Sequence, residues 1–208
     1  MRSPYICYHL NIIIYRRVLV VSVTKFSDTI FSATRWYASA AHPNVTSLSS
    51  SLSDWLLDAG SLTQRLQRQS DFNVQVLRHT SGVLTPDELA NLSPWDTRST
   101  QCREVLLRDG VTPLVFARSV IPCAESGLLH ELQHIGGRPL GDMLFTHPNV
   151  RRGHFQLAQF APDSPVGQLN QQLTGVQAEV WGRRRNFYVD DVPVLVAEVF
   201  LSTAPCYN

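Results

Sequence analysis

Cys102-Arg103-Glu104-Val105-Leu106-Leu107-Arg108, then Asp109-Gly110, then Leu114-Val115-Phe116-Ala117-Arg118-Ser119-Val120-Ile121 is the stretch whose reading decides the fold. Two runs rich in branched and aromatic residues flank an Asp-Gly pair. Such a pair favours a tight reversal, because glycine tolerates the left-handed backbone that a hairpin needs. The stretch therefore predicts two neighbouring antiparallel strands.

Working outward, similar signals recur. Phe72-Asn73-Val74-Gln75-Val76 alternates apolar and polar, as a half-buried strand does. Phe155–Phe160, Ala178–Val189 and, after the Asp190-Asp191 turn, Val194–Leu201 also read as strands. Helices are signalled between them. Ser50 or Ser51 can cap a helix carrying Leu52, Trp55, Leu56 and Leu57 on one face. Ser61-Leu62-Thr63-Gln64 has the form of a capping box, and Thr85-Pro86-Asp87-Glu88 is a stronger helix start. Further helices are expected from about Ser126 to Ile135, ending at Gly136-Gly137, and over Leu140–Phe145. Strands in neighbouring runs, without strict alternation with helices, predict a single α+β domain built on an antiparallel sheet of about six strands.

Composition narrows the chemistry. A chain of 208 residues with 44% hydrophobic content can fill one core. A formal net charge of +1 gives no electrostatic reason to expect nucleic acid as a partner. Cys7, Cys102, Cys123 and Cys206 show no CxxC spacing, which suits reduced thiols in a cytoplasmic protein better than disulfides or a zinc site. Lys25 is the only lysine. It lies in the N-terminal segment, so the globular part has neither a Schiff-base lysine nor a phosphate-binding GxxxxGK[ST] loop.

Residues 1–34 differ in character from the rest. The first 27 contain Arg2, Arg16, Arg17 and Lys25 but no acid. The apolar run Leu10–Val23 is split by two arginines and falls short of the roughly 20 residues of a membrane span, so no stable insertion is expected. Three explanations stay open: a transit-like leader, a weakly membrane-attracted tail, and a start codon assigned too far upstream. Residues 1–34 are thus read as a disordered or mis-assigned extension, and 35–208 as the domain.

Strand parity isolates two charges. Arg103 shares a face with Val105 and Leu107, and Glu198 shares one with Val194, Val196 and Phe200. A charge on an apolar face must be paired or must meet a polar ligand. Arg103 and Glu198 either pair with each other, lie at wet edges, or serve a site. In the last case the arginine fork suits a carboxylate, and an acid among apolar neighbours can donate a hydrogen bond. His130-Glu131-Leu132-Gln133-His134 has the H-E-x-x-H spacing of zinc proteases, but no third ligand is evident, so a solvent-facing helix and no metal are expected. Arg183-Arg184-Arg185 reads as a solvated strand end or an anion-steering patch, with Arg184 on the face opposite its neighbours.

Several segments in order resemble the bacterial chorismate pyruvate-lyase family: Asp54–Thr63, Arg103–Leu107, Val115–Val120, Pro139–Phe145, Trp181–Arg184 and Glu198–Leu201. The resemblance runs from about Arg35 to the C-terminus. It implies an antiparallel sheet with helical flaps over an internal ligand site, and a cofactor-free, monomeric enzyme. That enzyme splits chorismate into 4-hydroxybenzoate and pyruvate by elimination with ring aromatisation, feeding ubiquinone biosynthesis. It further implies that Arg103 and the backbone N–H groups of Leu62 and Leu140 bind the ring carboxylate. Glu198 would contact the oxygen that becomes the phenol and assist at the ether oxygen, so Arg103 and Glu198 are the expected catalytic pair. A non-catalytic small-molecule sensor domain of the same fold is the alternative.

Overall fold

The computed structural model describes residues 30–95 and 99–207. The expected N-terminal extension therefore lies outside the described residues except for 30–34, and Cys7 and Lys25 lie outside with it. Among the described residues, eight strands form one antiparallel sheet: β1 (Tyr37–Ala38), β2 (Phe72–Ser81), β3 (Thr100–Asp109), β4 (Thr112–Pro122), β5 (Val150–Arg152), β6 (Gln156–Phe160), β7 (Val180–Val189) and β8 (Val192–Phe200). Their order is β1-β6-β7-β8-β4-β3-β2, with β5 also paired to β7. The expected strands correspond to β2, β3, β4, β6, β7 and β8. The additional β1 and β5 span two and three residues, too few for period-two alternation to show.

The hairpin β3–β4 turns at Gly110, whose φ of +51° is the left-handed backbone the Asp-Gly signal implies. The β7–β8 turn uses positive φ at both Asp190 and Asp191 (48° and 68°), a conformation short acidic side chains tolerate better than most.

Among the described residues, six α-helices cover the sheet: α1 (Ser50–Leu57), α2 (Leu62–Gln67), α3 (Pro86–Leu92), α4 (Gly127–Gln133), α5 (Leu140–Thr146) and α6 (Pro165–Thr174). Ser49, rather than Ser50 or Ser51, caps α1, its Oγ accepting from the Leu52 N–H at 3.2 Å. Ser61 caps α2 through the Gln64 N–H, and Thr85 and Glu88 form the full reciprocal capping box of α3. Helix α6 is an element the sequence reading missed. Its signals are present: Ser164 as N-cap, Pro165 in the first turn, and Gly175 at φ +76° closing it. Among the described residues no helix is long and apolar enough to cross a membrane.

The two faces of the sheet bury different sets of side chains. On the front, Val105, Leu107, Val115, Ala117, Trp181 and Phe200 pack under α1 and α2, while Ile121, Phe187, Val189, Val194 and Val196 pack under α4 and α5. On the back, Leu106, Phe116, Phe160, Val180 and Val199 meet α6, and Ile30 and Phe31 join them. The helices over the front thus form two separate covers, and the strip of sheet between them holds the polar residues.

Candidate functional site

Register places the front-face charges in two adjacent cross-strand rows. Arg103 on β3 pairs with Ser119, which pairs with Val196, which pairs with Arg185 on β7. One row along, Val105, Ala117, Glu198 and Arg183 follow the same path. Arg103 and Glu198 therefore point from one face, separated by two strand spacings of about 4.8 Å each. They do not pair with each other.

Arg103 is 2% exposed. Its Nη2 donates to the carbonyls of Gly136 and Arg138, both at 3.0 Å, in the loop leading into α5. Its Nε is buried with no hydrogen-bond partner. Burial pulls the guanidinium down to about 10, still a cation at neutral pH. A buried, charged and incompletely bonded donor is an energetic liability unless an anion completes it.

Glu198 is one half of an ion pair, accepting from Arg183 Nε at 2.7 Å. Arg183 Nη1 also donates to the carbonyls of Trp55 (2.9 Å), Leu56 (3.5 Å) and Asp58 (2.8 Å) at the C-terminal end of α1. These are carbonyls without helical partners, where a cation is favoured. Glu198 thus meets the site as a paired carboxylate rather than as an acid alone among apolar side chains.

The basic run is not a solvated strand end. Arg183, Arg184 and Arg185 are all buried. Alternation sends Arg184 to the back, where Asp87 and Gln156 receive it, while Arg183 and Arg185 stay in front. The parity reading of the run was sound; its position in a central strand was the missing information.

One narrow cavity of about 40 Å³ lies between the sheet and the two covers. Leu62, Arg103, Leu140 and Glu198 all line it, together with Thr63, Ser119 and Val196, among others. Leu62 and Leu140 are the first residues of α2 and α5, so their N–H groups have no acceptor within the helix. The two helices close against each other at Gly141, where an added Cβ would stand 2.9 Å from Thr63 Oγ1. Thr63 and Ser119 were not singled out from the sequence, since isolated hydroxyls carry no spacing signal. A larger cavity of about 390 Å³ opens beside β6 and α6, lined by Arg35 and His42 but by none of those four residues.

His130 and His134 lie on α4 and at its C-cap, with ring centroids 4.4 Å apart. His130 Nδ1 is 3.3 Å from the Ala124 carbonyl and His134 Nδ1 is 2.9 Å from the His130 carbonyl. Among the described residues no group of three His, Cys, Asp or Glu is placed to hold a metal. Cys102, beside Arg103, faces the back of the sheet with its thiol pushed up to about 11 by burial, and Arg118 Nη2 donates to it at 3.4 Å.

The chain resembles curated proteins over most of its length. A protein from Psychromonas ingrahamii named "Probable chorismate pyruvate-lyase" is 39% identical over 181 residues, covering 85% of this chain and 94% of that one. One of the same name from Pseudoalteromonas atlantica is 38% identical, covering 76% and 82%. Among solved structures, the ligand-binding domain of a GntR-family regulator from Bordetella bronchiseptica aligns with a TM-score of 0.46 at 18% identity, over 64% of this chain and 88% of that one. So distant a likeness carries no weight for function. The family profile described as chorismate lyase matches residues 31–208, which takes in the whole sheet, both covers and the cavity between them. On that match and those identities, the chain belongs to the chorismate lyase family.

Proposed function

We propose that this protein is a chorismate pyruvate-lyase, converting chorismate to 4-hydroxybenzoate and pyruvate. The observation that carries the reading is the pair of charges across one closed cleft: Arg103 with an unpartnered Nε, and Glu198 two strands away, fixed by Arg183. An arginine fork binds a carboxylate, and a carboxylate accepts a hydroxyl proton in a hydrogen bond. A ring with a carboxylate at one end and a hydroxyl opposite spans such a pair. Leu62 and Leu140 would add two helix-terminal N–H donors to the same carboxylate as Arg103.

The reaction needs little else. The ring hydrogen on the carbon bearing the hydroxyl leaves as a proton, and the adjacent carbon–oxygen bond to the enolpyruvyl group breaks. The bonding pair departs on oxygen, and the enolate takes up a proton to become pyruvate. No electrons are gained or lost overall, and aromatisation drives the step, so no cofactor or metal is called for. The enzyme's part is positioning and polar contact. Arg103 orients the ring, and Glu198, held as a carboxylate by Arg183, accepts a hydrogen bond from the hydroxyl that becomes the phenol, next to the ether bond that breaks. We place the enzyme in the cytoplasm as a monomer that supplies 4-hydroxybenzoate to ubiquinone synthesis, with residues 1–34 as an extension outside the working domain.

Purified protein should release pyruvate and 4-hydroxybenzoate from chorismate with no added metal or cofactor. Arg103→Ala should lose both turnover and product affinity, while Glu198→Gln should lower kcat more than ligand affinity. Near wild-type behaviour of Arg103→Ala would sink the assignment of that residue, and an unchanged kcat in Glu198→Gln would sink the role of the acid.

A further inference from the structure

Three arginines follow one another on β7, and two of them have carboxylate partners. Arg183 is paired with Glu198 and Arg184 with Asp87. Arg185 is different. It is 7% exposed, yet among the described residues its one hydrogen bond is a long one, 3.4 Å from Nη2 to the Ala59 carbonyl, and it makes no ion pair. Phenyl rings hold the guanidinium instead, with centroids 4.2 Å (Phe155), 4.7 Å (Phe187) and 5.2 Å (Phe145) from its carbon. Ring faces attract a cation but leave its N–H donors unused. Burial, and then the neighbouring Arg183, pull this group down to about 10. Two of the three rings, Phe145 and Phe187, line the cavity, and Arg185 stands directly behind them rather than in the lining itself.

Position in the sheet says what such a cation is for. Arg185 stands in the same cross-strand row as Arg103, three strands along, with Ser119 and Val196 between them. Glu198 stands on β8, one row over, between the two arginines. A ring whose carboxylate meets Arg103 and whose hydroxyl meets Glu198 points its far end toward β7. Chorismate carries its enolpyruvyl group on the carbon next to the hydroxyl, off that axis. With the ring turned so that this carbon faces Arg103's row, the second carboxylate falls past Glu198 on the β7 side. That is where Arg185 waits.

We propose that Arg185 binds the carboxylate of the departing three-carbon group, which makes it a determinant of substrate rather than product recognition. The inference rests on the lyase reading above and deepens it. The site then accepts a dianion through two buried arginines, one for each carboxylate, with the breaking bond between them. After cleavage each product keeps one of the two arginines, the aromatic ring Arg103 and pyruvate Arg185.

Chorismate turnover and equilibrium binding of 4-hydroxybenzoate, measured on wild type, Arg185→Lys and Arg185→Met, test this. Removing a charge-assisted contact should raise KM for chorismate about tenfold or more in Arg185→Met. Arg185→Lys should lose less, and the Kd for 4-hydroxybenzoate should stay within about twofold of wild type in both. Should Arg185→Met not fold, Arg185→Gln carries the same comparison, keeping the stem and removing the charge. An unchanged KM overturns the proposal. So does a parallel loss of substrate and product affinity, which would make the ring cage a structural support only. A wild-type protein that releases no pyruvate from chorismate overturns the lyase reading and the inference with it, whereas an active wild type with indifferent Arg185 variants overturns the inference alone.

Discussion

Arg183 and Glu198 face each other across β7 and β8, Nε to Oε2 at 2.7 Å, and the same guanidinium holds the last carbonyls of α1 through Nη1. Glu198 and the first cover of the cleft are therefore fixed by one side chain. Neither can shift without disturbing the other.

From this coupling, Arg183→Met should destabilise the fold by about 3–5 kcal/mol, because it strands a half-buried carboxylate and frees three carbonyls. Thermal denaturation measures that loss. In whatever fraction folds, kcat should fall more than KM rises, because the acid is mispositioned while Arg103 is intact. Arg183→Lys should restore part of the stability and little of kcat, since an ammonium cannot reach both Glu198 and the helix end in the same geometry. Equal recovery of both would reduce Arg183 to scaffolding.

A second buried network lies on the back of the sheet, away from the cleft. Arg118 Nε meets Glu88 Oε1 at 2.8 Å and Nη1 meets Glu104 Oε1 at 2.6 Å, with all three side chains at most 4% exposed. Its task is to seat α3 on the sheet. Arg118→Met should therefore cost about 3–5 kcal/mol of stability while leaving KM for chorismate close to wild type. A denaturant titration alongside steady-state kinetics checks both halves. A large change in KM in the folded variant would show that the back of the sheet does communicate with the cleft.

These residues show what the sequence made legible. Parity picked Arg103 and Glu198, but the same test applied to the other face would have picked Glu104, beside Leu106, and Arg118, between Phe116 and Val120. What parity cannot say is which charge meets which. The partners of Arg118 and Arg183 come from segments 14 to 128 residues away, brought together only by the sheet order. Burial of the arginine run was invisible for a similar reason, since β7 becomes a central strand only when β6 and β8 flank it. Capped starts such as Thr85-Pro86 were readable locally, because every part of the signal lies within one turn. The start of α6 is equally local, its Ser164-Pro165 pair carrying the same kind of signal as Thr85-Pro86.

Closure of the cleft should be sensitive to one methyl group. In Gly141→Ala the new Cβ meets Thr63 Oγ1 at 2.9 Å and pushes α5 off α2. Alanine in a helix would by itself add about 0.5–1 kcal/mol of stability. The expected result is several-fold weaker binding of 4-hydroxybenzoate without a comparable loss of Tm. Adding Thr63→Ala removes the hydroxyl, leaves Cβ in ordinary contact at 3.6 Å, and should restore affinity. Tight binding by Gly141→Ala alone would show that the two helices do not need to touch.

Stability should decline on mild acidification. Burial holds the His42 imidazole below its ordinary value; burial and then the charge of Arg103 do the same to His79. Both folded-state values lie below the unfolded one, so the unfolded chain takes up protons first. The contribution is complete above about pH 6.5 and is lost as pH falls toward the depressed values. Unfolding free energies measured between pH 7.5 and 5.5 should fall less steeply in a His42→Gln, His79→Gln double variant than in wild type. Parallel slopes would assign the acid sensitivity elsewhere.

The unpartnered Nε of Arg103 has one more consequence. Stripping water from a cation is unfavourable, and in this fold that happens when the chain folds rather than when a ligand arrives. The folded chain therefore carries a built-in strain, which on the proposed lyase reading a carboxylate would relieve without having to dehydrate the guanidinium itself. Affinity is thus drawn from stability given up in advance. Saturating 4-hydroxybenzoate should lift the melting temperature well above that of the empty form, and a neutral analogue such as 4-hydroxybenzamide should lift it far less.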